Sequence, residues 1–366
     1  MSKEHGPGLF GKRVNVESAL VGPLSKEIHQ QIKGSAREQF LEETREMNDR
    51  ERKLVLQAEK IIDGFLFRLF SDHLLRISDA KVRIANHSWE SRNAFQLNEF
   101  IELSPLQNRS ERARLDFLNI AVHEMLHYAS ARRHHVARTI VVDQVGIAVA
   151  SVGGTTSQRW FEGLNEAMIS SLQHRLVTDF ALSKDSDVSE DLKRQMHECR
   201  EQALTHNDND SVVRLRDKEI YPSFENSGKI NISGSYFDVR MFLRLLIEKV
   251  AESSGRTVEL VQEQFDRLAM YGWDDQAKQD IIKVVGSDGW RALAWMKPEE
   301  FLLMDKRKDG YAELFYRIVD NDREGARRIA RAIVKEKQHP SPPAWHRAAV
   351  KYWEYEDVFG DDVDNE

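Results

Sequence analysis

The sequence predicts an α+β chain that is mostly helical, with a small mixed sheet around one helix in its first half and a C-terminal helical subdomain. Three observations lead there. Apolar residues recur at three- and four-residue spacing, as at Leu54, Ile61, Phe65 and Leu69. Alternating or β-branched stretches occur at residues 80–104 and 135–160. After about Asp185 nearly every segment has a helical pattern, including "VRMFLRLLIEKVAES", "VELVQEQFDRLAM" and "EGARRIARAIVKEK".

Taken in order, residues 1–24 are rich in Gly and Pro and read as a loose arm. Residues 25–79 form an N-terminal helical region whose first part, "QQIKGSAREQFLEETREMNDRERK", is so charged that a solvated helix is expected. "AKVRIANHS" and "NAFQLNEFIELS" alternate and read as strands. Ser110 is placed to cap a helix starting near Glu111, an acid in the favoured first turn. That helix is "ERARLDFLNIAVHEMLHYASARR". A hairpin over His135–Trp160 follows, with a Gly-Gly turn, and then the helix "FEGLNEAMISSLQHRLV". These pieces make a core over residues 80–185. Residues 186–338 form the C-terminal helical subdomain, with Gly255, Gly286 and Gly289 as helix stops. From 339 to 366 an acidic tail is expected, since Glu354 to Glu366 holds seven acids and no base.

Bulk properties narrow the function classes. Across 366 residues the net charge is −7, which argues against nucleic acid as the main partner because phosphate binding favours a basic face. Cys199 is the only cysteine, so an intramolecular disulfide and a CxxC site are excluded. The longest apolar run, "TIVVDQVGIAVASVGG", is shorter than a membrane span and is interrupted by Asp143 and Gln144. The first twenty residues lack the apolar core of a signal peptide. The expectation is a cytoplasmic protein with no membrane partner.

The chemistry concentrates in "AVHEMLHYAS", Ala121 to Ser130. On a helix, Leu115, Leu118, Val122, Met125, Leu126 and Ala129 make one apolar stripe. His123 and His127 lie about 40° apart on another face, one turn above the other, so both imidazoles can reach one metal ion. Glu124 sits about 100° around from His123, where a base can take a proton from metal-bound water. A surface helix of this protein would be salted with Lys and Glu. The residues beside these histidines (Val122, Met125, Leu126, Tyr128) are uncharged, which favours a helix lining a cleft.

A catalytic zinc usually has three protein ligands and an open position. The HExxHxxGxxH pattern fails, because Ser130 and Arg133 occupy its glycine and last histidine positions. His134 and His135 are near misses among basic neighbours, and Glu162 is a further alternative. With "HEMLH" and the downstream "GLNEA" at Gly163 to Ala167, the chain resembles the gluzincins, the thermolysin-like and aminopeptidase-like zinc peptidases. The resemblance spans roughly Val82 to Val250. It implies a zincin-like catalytic domain, one catalytic Zn²⁺, Glu166 as third ligand, Glu124 as general base, and hydrolysis of a peptide or protein substrate. It also implies that "RNAFQLNEFIELSP", with Ala94 and Phe95, holds substrate by strand addition. Tyr236, before an amphipathic helix, matches the tyrosine that stabilises the oxyanion, with Tyr221 and His206 as competitors. Arg240, one turn later, is placed to hold a substrate carboxylate.

The departures are specific. Thirty-nine positions separate His127 from Glu166, about twice the family's usual gap. Ser170 stands where thermolysin-like enzymes carry the acid that supports a ligand histidine, which leaves Asp116 as a substitute. The aminopeptidase signature before the HExxH helix is missing. Two rival readings therefore stand. One is an SprT-like or other zinc hydrolase, which would draw a ligand from His134, His135 or His174. The other is a helical binding or scaffold protein whose zinc site is structural or degenerate.

Overall fold

The computed structural model describes residues 41–70, 82–86, 101–137, 140–152, 159–204, 236–272, 274–298 and 310–337, together with 215, 219 and 221. The expected N-terminal arm and acidic tail lie outside the described residues, as do Ala94, Phe95 and His206. Helices dominate what is described, and two small sheets join them. No described helix is long and apolar enough to cross a membrane.

Strand β1 (Thr44–Arg45) pairs antiparallel with β2 (Val82–Ala85), which pairs parallel with β3 (Ile101–Leu103). This is the expected small mixed sheet. Between β1 and β2 runs helix α1 (Asp49–Phe70), which buries Leu54, Phe65 and Leu69 as its spacing predicted. The segment before it departs from the expected solvated helix. Thr44 and Arg45 are strand, and the helix starts only at Asp49. The reason is a capping box. Asn48 Oδ1 accepts from the amides of Arg50 and Glu51, while Glu51 reaches back to accept from Asn48 N at 2.9 Å. Glu51 also takes both Nη groups of Arg45 at 2.7 Å and is fully buried. Burial pushes its carboxyl up, but the Arg45 bonds and two backbone amides outweigh that and hold it below the usual range.

Helix α2 (Glu111–Ser130) is capped by Ser110, whose hydroxyl accepts from Ala113 N at 3.2 Å. Leu115, Leu118, Val122, Met125 and Leu126 are buried as the stripe predicted, and Ala129 is half-buried. The helix passes directly into β4 (Ala131–Ala137), which pairs in antiparallel order with β5 (Ile140–Val145), β6 (Ala148–Val152) and β7 (Arg159–Trp160). The predicted hairpin is thus a four-stranded meander that begins four residues earlier. His134 and His135 fall on β4, where their backbones pair with Val142 and Val141.

The tip between β5 and β6 is tied to the next helix. Gly146 has φ +57°, and a Cβ there would stand 2.4 Å from the carbonyl oxygen of Ala269 and 2.3 Å from Asn165 Oδ1. Only glycine fits that left-handed, closely approached position. Ile147 N donates to Asn165 Oδ1 at 3.2 Å, so the asparagine of "GLNEA" anchors the meander to helix α3 (Glu162–Leu182).

Helix α3 is buried on nearly every side, as a central helix must be. Its first turn is held by the end of another helix, since Phe161 N and Gly163 N donate to the carbonyls of Ala294 and Met296 at 2.8 and 2.9 Å. Helix α4 (Glu190–Leu204) follows and buries Leu192 and Met196. Then come α5 (Phe237–Ser254), α6 (Val258–Tyr271), α7 (Asp275–Trp295), α8 (Gly310–Val319) and α9 (Arg323–Lys337). Packing runs α1 on α2, α2 on α3, α3 on α5, α5 on α7 and α7 on α9. One continuous core therefore links the first half to the helical remainder. Gly255 ends α5 in the left-handed conformation and Gly286 kinks α7 at φ 79°. Gly289, expected as a stop, lies buried inside α7 because Val285 fills the space where its Cβ would be.

Candidate metal centre

Antiparallel placement is not required for α2 and α3 to share a site; what matters is that they pack along their length. That packing brings His123 and His127 of α2 against Glu166 of α3. The three form the group of potential ligands found among the described residues, with one donor atom from each inside a 4.8 Å span. His123 Nε2 and His127 Nε2 are 3.1 Å apart. His127 Nε2 lies 3.3 Å from Glu166 Oε1, and His123 Nε2 lies 3.5 Å from Glu166 Oε2. The imidazole rings meet edge to face at 78°.

These separations suit a metal ion. Ligands about 2.0–2.1 Å from a tetrahedral Zn²⁺ stand roughly 3.3 Å from one another. The protonation chemistry points the same way. His123 Nδ1 donates to Gln173 Oε1 at 3.0 Å, so Nε2 is the nitrogen that faces His127 and Glu166. Buried Glu166 Oε2 has no hydrogen-bond partner. Two imidazole nitrogens and a carboxylate thus converge, and a cation that displaces the His123 proton could bind all three.

The electrostatics agree. Burial pushes the Glu166 carboxyl up, but the His127 and His123 imidazoles beside it overcome this and hold it well below the usual range. Burial lowers the His123 imidazole, but Glu166 and Glu124 more than reverse this and raise it to about 9 in the metal-free protein. The three groups are only slightly exposed, at 11–14% of their side-chain surface.

Other predicted residues fall into place around this cluster. Glu124 is half-buried on α2 and close enough to His123 for its charge to be felt there. Tyr236 immediately precedes α5 and its ring lies 6.4 Å from that of His123, nearly parallel at 20°. Its backbone is left-handed, φ 61° and ψ 26°, a conformation that costs a bulky residue energy and survives only where the surroundings impose it. Phe161, at the start of α3, is held the same way at φ 59°. Arg240 lies one turn after Tyr236, whose carbonyl accepts from Arg240 N at 2.9 Å. Tyr221, the rival oxyanion donor, instead stacks on His174 with ring centroids 5.6 Å apart. Glu162 lies in the first turn of α3 and is not part of the ligand group.

The sequence missed the residue that steadies His123. Asp116 was the candidate, and Gln173 makes the bond. A signal existed: Gln173 is seven positions after Glu166, two turns along the same face of α3. The family pattern points instead to the position of Ser170, which is buried. No family model, no curated protein and no solved structure matches this chain.

Proposed function

We propose that this protein is a zinc-dependent peptidase with a zincin-like catalytic core over residues 80–185. The observation that carries the reading is the convergence of His123, His127 and Glu166 at tetrahedral ligand spacing, with a glutamate directly following the first histidine. These three residues would hold one Zn²⁺. Bound there, the ion supplies Lewis acidity toward a carbonyl and lowers the pKa of water.

The chain's own groups do the rest. Gln173 accepts from His123 Nδ1 and so turns Nε2 toward the position the ion would take. Glu124 takes a proton from the attacking water and passes it to the leaving amine. Tyr236 donates its hydroxyl to the oxyanion that develops on the scissile carbonyl. Its imposed backbone conformation and its ring beside His123 support that role. Strand β3 is at the edge of the described three-stranded sheet and runs into the loop before α2. A peptide added along that edge would be held extended beside the ligands. The helices after Asp185 would wall the cleft.

The test is metal content together with cleavage of a mixed peptide library, wild type against Glu124→Gln. The expected result is equal zinc in both proteins and turnover only in the wild type. A fully active Glu124→Gln protein would sink the mechanism.

A further inference from the structure

Arg240 is completely buried, and none of Nε, Nη1 and Nη2 has a hydrogen-bond partner. Such a state is expensive, because a guanidinium carries five N–H donors and a full charge. Its surroundings are the rings of Tyr221 and Phe237, with Cζ 5.8 and 5.7 Å from their centroids. Glu219 is also fully enclosed and attracts Arg240, but it makes no bond to it. Instead Glu219 Oε2 accepts from Ser171 Oγ at 3.3 Å. Burial pushes the Glu219 carboxyl up, and the nearby arginines only partly offset this.

The place of this cation matters as much as its lack of a partner. Phe237 directly follows Tyr236, whose ring faces His123. His174 stacks on Tyr221 and directly follows Gln173, which holds His123. His174 Nδ1 is likewise buried without a partner. Helix α3 carries Glu166 and Gln173 together with His174, and α5, which packs against it, carries Phe237 and Arg240, so the two unpartnered groups lie on helices next to the metal centre.

We propose that Arg240 is the anchor for the C-terminal carboxylate of a peptide substrate, so that the enzyme removes a short fragment from the C-terminal end. This rests on the peptidase reading. A carboxylate offers two oxygens in the plane and at the spacing of the guanidinium fork, and His174 Nδ1 supplies a further polar contact. In the reaction the oxygen of water bonds to the scissile carbonyl carbon and the C–N bond breaks. The amine of the released fragment gains the proton, and the anchored carboxylate is unchanged. The anchor works by recognition, and its loss leaves three or more donors buried without an acceptor.

The experiment uses three peptides of one sequence: free acid, C-terminal amide, and amide with an internal glutamate. Binding is measured by calorimetry to zinc-loaded Glu124→Gln protein, which separates recognition from turnover. The free acid is expected to bind at least tenfold tighter than either amide. Wild-type enzyme is expected to cleave the free acid with kcat/KM on the order of 10²-fold above the amides, releasing a C-terminal fragment. Arg240→Gln should bring the acid-to-amide ratio near one, and Arg240→Lys should restore part of it. Because the peptide comparison needs no mutation at Arg240, it stands even if those variants misfold. Equal binding of acid and plain amide overturns the anchor. Equal binding of the acid and the glutamate amide overturns its assignment to the chain terminus. Acid-selective binding with no cleavage of any peptide keeps the anchor and removes the peptidase reading.

Discussion

Helix α3 carries two buried polar clusters that differ in one respect. Near its C-terminal half, Arg175 gives Nη2 and Nη1 to Asp266 at 2.5 and 3.2 Å, and Gln262 adds a bond to the same acid at 3.1 Å. Base meets acid as a fork, and the pair is closed. Two and a half turns earlier, Glu166 is shared by two imidazoles and keeps a buried oxygen without a partner. The first cluster pairs its base with its acid inside the chain and leaves only Arg175 Nε without a partner. The second is complete only with something from outside. The difference teaches that a buried charge alone does not mark a functional site, whereas a buried carboxylate shared by two imidazoles, with an oxygen that no donor reaches, points to one.

The comparison can be broken from either side. The largest effect belongs to the open cluster: Glu124→Gln should lower kcat on the order of 10³-fold without changing zinc stoichiometry, read by steady-state kinetics and elemental analysis. Glu166→Ala should instead leave a protein that loses zinc on dialysis. For the closed cluster, Asp266→Ala leaves Arg175 unpaired. It should cost about 3 kcal/mol of stability in denaturant unfolding while the folded protein still binds zinc one to one. If Asp266→Ala abolished zinc binding in folded protein, the two clusters would not be independent.

A smaller effect is expected at Gln173. Gln173→Ala frees the His123 ring and should weaken zinc binding roughly 10–100-fold in a competition titration with a chelator. The smallest is graded with pH. In the metal-free protein His123 titrates near 9, above its ordinary 6.5. Zinc must displace that proton, so zinc affinity should rise about tenfold per pH unit from neutrality until it levels near pH 9. The sign for metal-free stability is opposite. A raised histidine pKa stabilises the fold fully below pH 6.5, and this contribution is lost as pH rises through about 9. Urea midpoints of metal-free protein measured from pH 6 to 9.5 should fall, and midpoints that rise would contradict the assignment.

Where the sequence was readable, the reason was local geometry. The spacing of His123 and His127, the Ser110 cap and the apolar stripe of α2 all follow from 3.6 residues per turn. Glu51 shows the limit: among seemingly solvated charges it is fully buried, because the Asn48 box and Arg45 enclose it. The meander shows another limit. β-Branched residues announced strands, but their number and order depend on pairing across the sheet.

From its sequence alone this chain was determined to be mostly helical, to place two histidines and a glutamate on one turn and a half of helix, and to carry the "GLNEA" helix downstream. Periodicity and spacing are properties of contiguous residues, so they survive without a structure. Only tertiary packing decided that Glu166 reaches both histidines across the intervening meander, that Gln173 bonds His123, and that Arg175 has its acid while Arg240 has no hydrogen-bond partner. Those are meetings between residues 39 to 91 positions apart, and helix-on-helix packing, not local propensity, sets who meets whom.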